Sequence, residues 1–385
     1  MSQLAELQTI ELDILREFIR VANSKNLRWF GMFGTLLGAS RCGGFIPWDD
    51  DIDIAMPRPD YDRLRTMSHL FAEPYFLQTP ANDPAAATRF MKLRRSDTTV
   101  IQAIPSVYTN GGHMGAYIDI IPLDIVPDYN AAKKLQQVAH SINKQMYYSA
   151  ALDENDGEEV PAFKEDACIL AGGIAGHYDF FADRYENYCS KYKSGYYYAM
   201  PSLLGERGCQ VYDRKWFALS DELDFEGLKV QVPANWKDVL VVSYPKGVQE
   251  PALKYRKPKH IDSSIVDTRR SYKTYTQRYT DMLCGIEGKK TYFFGAGDSL
   301  RIWLERYGDN VDVACTFDND PKKWGATAYG VPVRNPAELP RILMDDDRVV
   351  IVSVYHKEIG KQLEDMGVKD YYIFLDGLKY KRERQ

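Results

Sequence analysis

Four aspartates stand within five positions in the stretch GFIPWDDDIDIAMPRPDY, residues 44–61. They are Asp49, Asp50, Asp51 and Asp53. Carboxylates this close repel one another, and a hard divalent cation with oxygen ligands relieves that repulsion. The stretch therefore predicts a site for a divalent metal that is bound to a substrate's phosphates.

The two-residue repeat of a β-strand predicts which of these aspartates share a face. Side chains alternate along a strand, so Asp51 and Asp53 are predicted on one face and Ile52 and Ile54 on the other. The motif YIDI offers a third carboxylate, Asp119, from a second strand. We expect these three carboxylates to hold Mg²⁺ or Mn²⁺, while the two preceding aspartates cap or brace the loop.

The motif FGTLLG precedes the aspartates and predicts a strand, a glycine turn and a short helix. Gly34 permits a sharp turn, and the Thr35 hydroxyl with nearby backbone N–H groups would hold phosphate at the helix N-terminus. This order of elements suits metal-assisted phosphoryl transfer. An isolated D-x-D in a turn is the alternative explanation.

Other side chains near these motifs are weaker candidates for substrate contacts. Trp48 would stack on a base or sugar, or anchor the loop. Arg58 would pair with the carboxylates or with phosphate. Lys92 and Arg94 alternate onto one strand face and would reach donor phosphates, unless they form a solvated strand edge. His113 is more simply explained as an incidental loop histidine.

Alternating helix and strand patterns position these residues. Apolar spacing predicts a helix over 2–22, then a strand over 27–33 before the glycine turn. The YIDI strand is predicted to end at Pro122 and Pro127. A helical block follows from about residue 131, interrupted by a solvated DENDGEE loop, and Gly195 is the predicted cap of a later helix.

The C-terminal sequence has a different pattern. KKTYFFGAGDSLRIWLERYG reads as strand, glycine turn and helix, and the alternation that follows predicts a small parallel sheet. The turn resembles that of a Rossmann unit, with Gly295, Gly297 and Asp318 as nucleotide-binding candidates, although Leu300 replaces the third glycine. A dinucleotide oxidoreductase is therefore an alternative, but no catalytic Tyr-x-x-x-Lys constellation follows.

Composition limits the remaining possibilities. The chain has 385 residues and a net charge of −5, which gives no general attraction to nucleic acid. Its six cysteines form no C-x-x-C pair, and its N-terminus lacks the features of a signal peptide. We expect a cytoplasmic protein, with peripheral association at the inner face of a membrane and homo-oligomerisation left open.

Several motifs together resemble one known family. GTLLGASRCGGFIPWDDDIDIAMPRPDY, KLRRSDTT and YIDIIPLDIVP are similar to the LicD family of phosphotransferases, and weaker similarity extends from about Leu4 to His260. That family has a nucleotidyltransferase-like fold and includes enzymes that transfer phosphocholine from CDP-choline to surface glycans. Fukutin-related ribitol-phosphate transferases are distant relatives.

The resemblance implies roles for particular residues. Asp51 and Asp53 match the metal-binding D-x-D, and Asp119 matches the third carboxylate, which would also accept the proton of the acceptor hydroxyl. The chain departs from many relatives at ASRCGGF, where Cys42 or Gly43 stands in place of a basic residue. Arg41 then remains as the main cation beside this loop.

These observations predict an α/β protein with two domains. Residues 1–265 would form an α+β nucleotidyltransferase-like domain with a mixed sheet and a helical block. Residues 285–385 would form a small Rossmann-like domain that binds a nucleotide or serves for docking.

The predicted activity is metal-dependent transfer of a phospho-alcohol from a CDP-activated donor to a glycan hydroxyl, with release of CMP. The alcohol stays open among choline, ethanolamine, glycerol, ribitol and aminoethylphosphonate. The alternatives are nucleotidyl transfer with pyrophosphate release, and a non-catalytic protein that binds a nucleotide or nucleotide-sugar.

Overall fold

A computed structural model describes most of the chain. The described residues are 2–83, 88–102, 112–151, 178–201, 210–245, 257–258, 261, 264–274, 285–286, 288–308, 311–375 and 378–381. The predicted DENDGEE loop lies outside them. The α/β class is confirmed, since helices and mixed sheets alternate along the chain.

The helices within the described residues have the following bounds: α1 Gln3–Ser24, α2 Phe33–Cys42, α3 Arg58–Arg65, α4 Tyr129–Ala151, α5 Tyr178–Cys189, α6 Trp236–Ser243, α7 Asp298–Tyr307, α8 Leu339–Ile342 and α9 His356–Asp365. The strands of the N-terminal part are β1 Phe30–Gly31, β2 Asp53–Pro57, β3 Tyr75–Gln78, β4 Met91–Arg95, β5 Thr99–Gln102, β6 Ala116–Val126, β7 Tyr197–Ala199, β8 Val211–Asp213, β9 Ser220–Phe225, β10 Leu228–Pro233 and β11 Ser264–Asp267. The C-terminal strands are β12 Lys290–Phe294, β13 Asp312–Phe317, β14 Thr327–Ala328, β15 Val331–Arg334, β16 Arg348–Ile351, β17 Tyr372–Leu375 and β18 Leu378–Lys381.

The first sheet is mixed and has the order β1-β2-β6-β4-β3, with β7 added to β6 and β8 to β7. Strand β6 is central and pairs parallel with β2 and antiparallel with β4. Helix α1 packs against β4 and β6. Its apolar side, which includes Leu7, Ile14 and Phe18, enters the core of this sheet, as the helical spacing predicts.

The second sheet has the order β14-β15-β13-β12-β16-β17-β18. The five strands from β15 to β17 in this order pair parallel with their neighbours, which agrees with the predicted parallel sheet. Strands β11 and β5 form a separate two-stranded sheet, as do β9 and β10, and the second large sheet begins in sequence with β12. The two-domain division and the Rossmann-like character of this part stay predictions.

Three local expectations are wrong. The strand before the glycine is shorter than predicted because Phe33 takes a φ of 47° and α2 begins there, which puts Gly34 inside the first helical turn. Strand β6 continues through Pro122, since its pairing with β4 ends at Ile120 and an N–H is not needed on that side. Gly195 does not cap a helix, because α5 ends at Cys189.

Within the described part of the chain, no helix combines the length and the apolar character that a bilayer crossing requires.

Candidate active site

A row of polar residues crosses four strands of the first sheet. Asp53 on β2 is the register partner of Asp119 on β6, Asp119 is the partner of Lys92 on β4, and Lys92 is the partner of Gln78 on β3. Register partners on neighbouring strands project from the same face and lie about 5 Å apart. The sheet thus brings two of the three predicted carboxylates and one predicted cation into direct proximity.

The remaining aspartate of the D-x-D stands just ahead of the strand. Strand β2 begins at Asp53, while the carbonyl of Ile52 already accepts a hydrogen bond from the Asp119 N–H at 2.9 Å. Ile52 and Ile54 are fully buried, as the alternating pattern predicts. Asp51 therefore enters the site from the end of the loop rather than from the strand itself.

Lys92 is the cation inside this row. Its ammonium group donates to Asp119 Oδ1 at 2.5 Å and lies 3.7 Å from the centre of the Tyr117 ring. Burial lowers the pKa of Lys92 despite the attraction of Asp119. Arg94 lies two residues after Lys92 on β4. Its Nε donates to Gln78 Oε1 at 2.6 Å and its Nη1 to the Gly115 carbonyl at 2.7 Å.

The site carries an excess of negative charge. Burial, together with the neighbouring charges of Asp51, Asp119 and Asp49, raises the pKa of Asp53 well above its ordinary value, and Lys92 only partly opposes this. Within the described residues, no three acidic, histidine or cysteine side chains are already arranged as a complete metal-ligand set. The donor chemistry nevertheless fits Mg²⁺ or Mn²⁺, because the clustered groups are hard oxygen ligands.

Helix α2 supports the aspartate loop. A Cβ on Gly34 would lie 2.2 Å from Asp49 Oδ2, so the Asp49 carboxylate rests against the first turn of the helix. An anion is stabilised at a helix N-terminus, which is the place predicted for substrate phosphate. The buried Thr35 hydroxyl accepts a hydrogen bond from the Asp53 N–H at 2.9 Å and so fixes the start of β2.

Two further acidic side chains brace this region. The buried Asp50 accepts a hydrogen bond from the Ile261 N–H at 2.8 Å through Oδ2, which ties a distant segment to the loop. Glu226 accepts from the Phe45 N–H at 3.2 Å, and its own N–H donates to the Gly43 carbonyl at 2.8 Å. The Asp50 contact agrees with the bracing expected of this residue.

Arg58 lies outside the polar row. Its buried guanidinium donates to Asp124 at 2.6 and 2.9 Å and to Glu186 at 2.7 Å, so its carboxylate partners are not those of the D-x-D. Arg41 is exposed in the last turn of α2, and Trp48 is half-buried in the loop before β2. Their contacts with substrate stay predictions.

His113 is a structural residue. Its ring stacks on Phe76 at 4.8 Å, its Nδ1 accepts from the Gly115 N–H, and its Nε2 lies 3.0 Å from Ser96 Oγ. Burial, followed by the nearby Arg94 charge, lowers the pKa of His113 to about 3. A buried neutral ring with these contacts supports the fold, which differs from the incidental role that the sequence favours.

Glu11 is a carboxylate near the site that sequence reasoning missed. It lies on the buried face of α1, only 2% exposed, and its Oε2 has no hydrogen-bond partner among the described residues. Burial is the main cause that raises the pKa of Glu11 well above its usual range, and the charges of Asp51, Asp50, Asp49 and Asp119 add to it. The one sequence signal was an acid at a core position of an amphipathic helix.

The glycine turn that follows β12 in the second sheet contacts both backbone and side-chain atoms of neighbouring segments. Gly295 has a φ of 119°, and a Cβ there would lie 2.5 Å from the Val352 carbonyl. Asp318 accepts from the Ala296 N–H at 3.0 Å and from Lys323 Nζ at 2.9 Å. Among the described residues beyond its immediate chain neighbours, no heavy atom would lie within 4 Å of a Cβ on Gly297. Nucleotide binding by these residues stays a prediction.

Comparisons with known proteins bear on the first sheet. Residues 26–141 match the family model described as LicD/FKTN/FKRP, nucleotidyltransferase domain. The chain is also similar to lipopolysaccharide cholinephosphotransferase LicD of Haemophilus influenzae, with 44% identity over 61 residues. That alignment covers 16% of this chain and 23% of the curated relative. The polar row from Gln78 to Asp53 lies entirely within the family match.

Proposed function

Because residues 26–141 place this chain in the LicD family, we propose that it is a metal-dependent phosphotransferase. It transfers a phospho-alcohol from a CDP-activated donor to a hydroxyl of a cell-surface glycan or its precursor, and CMP is released. The observation that carries the proposal is the row of Asp53, Asp119 and Lys92 in register across β2, β6 and β4.

Asp51, Asp53 and Asp119 would hold the metal ion. When bound, Mg²⁺ or Mn²⁺ would neutralise charge on the phosphoryl oxygens and orient the reacting groups. The register of Asp53 with Asp119 supports this assignment, because it sets two carboxylates side by side where one cation could bind both.

The chain's own residues then have distinct tasks. The acceptor hydroxyl oxygen attacks the phosphorus next to the alcohol, the bond from that phosphorus to the oxygen of CMP breaks, and CMP leaves. Asp119 would also accept the hydroxyl proton, and Lys92, which donates to its Oδ1, would hold the carboxylate in place. The Lys92 ammonium attracts the donor phosphate, and Arg94 holds Gln78 beside it.

The name of the similar protein favours choline as the transferred alcohol. Ethanolamine, glycerol, ribitol and aminoethylphosphonate are the other members of the proposed donor class. The proposed location is the cytoplasm, and a lipid-linked acceptor would bring the protein to the inner face of a membrane.

The test is a panel of CDP-linked donors with Mg²⁺, read out as CMP release in the presence of glycan acceptors. We expect release by the wild-type protein and its loss in Asp53→Asn, which removes a charge at nearly constant volume. Asp97→Asn is the matched control, since Asp97 is an exposed partner of Arg95 and should leave turnover unchanged. Pyrophosphate release from CTP would support nucleotidyl transfer instead, and nucleotide binding without turnover would support a binding protein.

A further inference from the structure

Helix α1 buries a carboxylate that the fold does not explain. Glu11 sits among Leu7, Ile10, Ile14 and Leu15 on the buried face of the helix, and its side chain is 2% exposed. The helix packs against β4 and β6, the strands that carry Lys92 and Asp119. A leucine at this position would complete the apolar stripe of the helix.

The Glu11 carboxylate lacks the partners that buried acids normally have. Its Oε2 makes no hydrogen bond within the part of the chain that the structure describes. Buried polar atoms are almost always hydrogen-bonded, and an unsatisfied one is costly, so an exception points to a missing partner.

The surroundings define the charge of that partner. Gln8, which precedes Glu11 by about one turn of α1, donates through Nε2 to the Asp49 carbonyl at 2.9 Å, so this part of the helix reaches the aspartate loop. The charges of Asp51, Asp50, Asp49 and Asp119 also act on Glu11. The ammonium of Lys92 is already bonded to Asp119. An unpartnered carboxylate oxygen that lies near other carboxylates fits a hard divalent cation better than a neutral donor or a soft metal.

We propose that Glu11 contributes a carboxylate oxygen to the divalent-cation site of the aspartate cluster. The inference rests on the proposed function, and it adds a ligand from α1, outside residues 26–141 that the family model matches. Helix α1 would then be part of the site rather than only a support for the sheet.

The test is direct Mn²⁺ binding to the full-length protein without donor or acceptor, measured by electron paramagnetic resonance of the free ion. Loss of a metal-site contact typically weakens affinity about 10- to 100-fold, and we expect at least about tenfold for Glu11→Gln. Glu11→Asp, which keeps the charge on a shorter side chain, should show a smaller loss. Glu17→Gln is the matched control on the same helix, because Glu17 pairs with the exposed Arg20.

The outcomes separate this inference from the proposed function. Wild-type Mn²⁺ affinity in Glu11→Gln, with affinity lost in Asp53→Asn, would overturn the role of Glu11 and leave the metal-dependent site standing. Absence of Mn²⁺ binding by the wild-type protein would overturn both. Should Glu11→Gln fail to fold, Glu11→Asp decides: weakened affinity supports the inference, and unchanged affinity overturns it.

A second measurement excludes a purely structural role. Mn²⁺ should raise the melting temperature of the wild-type protein and of Glu17→Gln, but raise that of Glu11→Gln much less at the same concentration. An equal rise in all three proteins would contradict the inference.

Discussion

Replacement of Arg58 by methionine should destabilise the protein strongly. Arg58 follows strand β2, which begins with Asp53 of the D-x-D motif, but its own contacts lie in a buried ion-pair network. The guanidinium is 7% exposed and makes two hydrogen bonds to Asp124, which is fully buried. A third bond reaches Glu186, and the Tyr61 ring centre lies 4.9 Å away. Arg58→Met keeps most of the apolar contact and leaves two buried carboxylates without their cation.

The expected loss follows from that arrangement. Removal of one partner of a buried ion pair typically costs about 3–5 kcal/mol, because the other charge stays desolvated. Burial already raises the pKa of Asp124, and Arg58 is the main group that opposes this. Without Arg58 the pKa rises further, so the carboxyl accepts a proton more readily in the folded state. A raised folded-state pKa costs stability as pH increases, and the defect of Arg58→Met should therefore be larger at pH 8 than at pH 5.

The assay is urea unfolding at the two pH values, with Arg63→Met as the control on the same helix. Arg63 pairs with Asp60 at 2.9 Å, but its side chain is 49% exposed, and such a surface pair contributes at most about 1 kcal/mol. If Arg58→Met and Arg63→Met unfold within about 1 kcal/mol of each other, the buried network does not have the importance assigned to it. A pH-independent defect would refute the electrostatic explanation.

Two other predictions concern residues around the site. His113→Gln should weaken the loss of stability at acid pH. In the wild-type protein the folded-state pKa of about 3 lies below the unfolded value near 6.5, so stability that is present above pH 6.5 is lost as the pH falls. Between pH 6.5 and 5 this loss in the free energy of unfolding should be about 2 kcal/mol. An unchanged dependence in the variant would contradict the assignment. Gly38→Ala should destabilise by about 1–3 kcal/mol, because its Cβ would lie 2.3 Å from the Gly44 carbonyl. Gly34→Ala should cost less stability, since its Cβ meets the movable Asp49 carboxylate, but should reduce turnover. Equal melting temperatures of the two alanine variants would contradict the view that a Cβ near a backbone carbonyl costs more stability than a Cβ near a movable side chain.

The sequence predicted which side chains around the D-x-D motif face the core and which face the opposite side of the strand. It predicted less well which residues from other strands lie beside the motif. Alternation alone assigns Ile52 and Ile54 to the core and turns Asp53 to the opposite face. It does not provide the register with β6, because strand pairing depends on residues far along the chain. That register is what sets Asp53 beside Asp119.

Long-range contacts also account for the residues that were missed or misjudged. Arg58 lies close in sequence to the aspartates, but its partners Asp124 and Glu186 lie 66 and 128 residues away. Glu11 lies on a helix whose spacing predicted an apolar face, and a single acid in that pattern gives no indication of what it faces. The hydrogen bond from the Asp53 N–H to Thr35 also joins residues 18 positions apart, which the local pattern does not indicate.

The central claim is that this site transfers the phosphoryl group next to the alcohol of a CDP-linked donor. The most direct test uses CDP-choline with ³²P in that phosphate, Mg²⁺ and a glycan acceptor, and follows the label. The account predicts labelled glycan and unlabelled CMP from the wild-type protein, and neither from Asp53→Asn. Label that stays in soluble choline phosphate, or glycan that carries CMP from the donor, would contradict it.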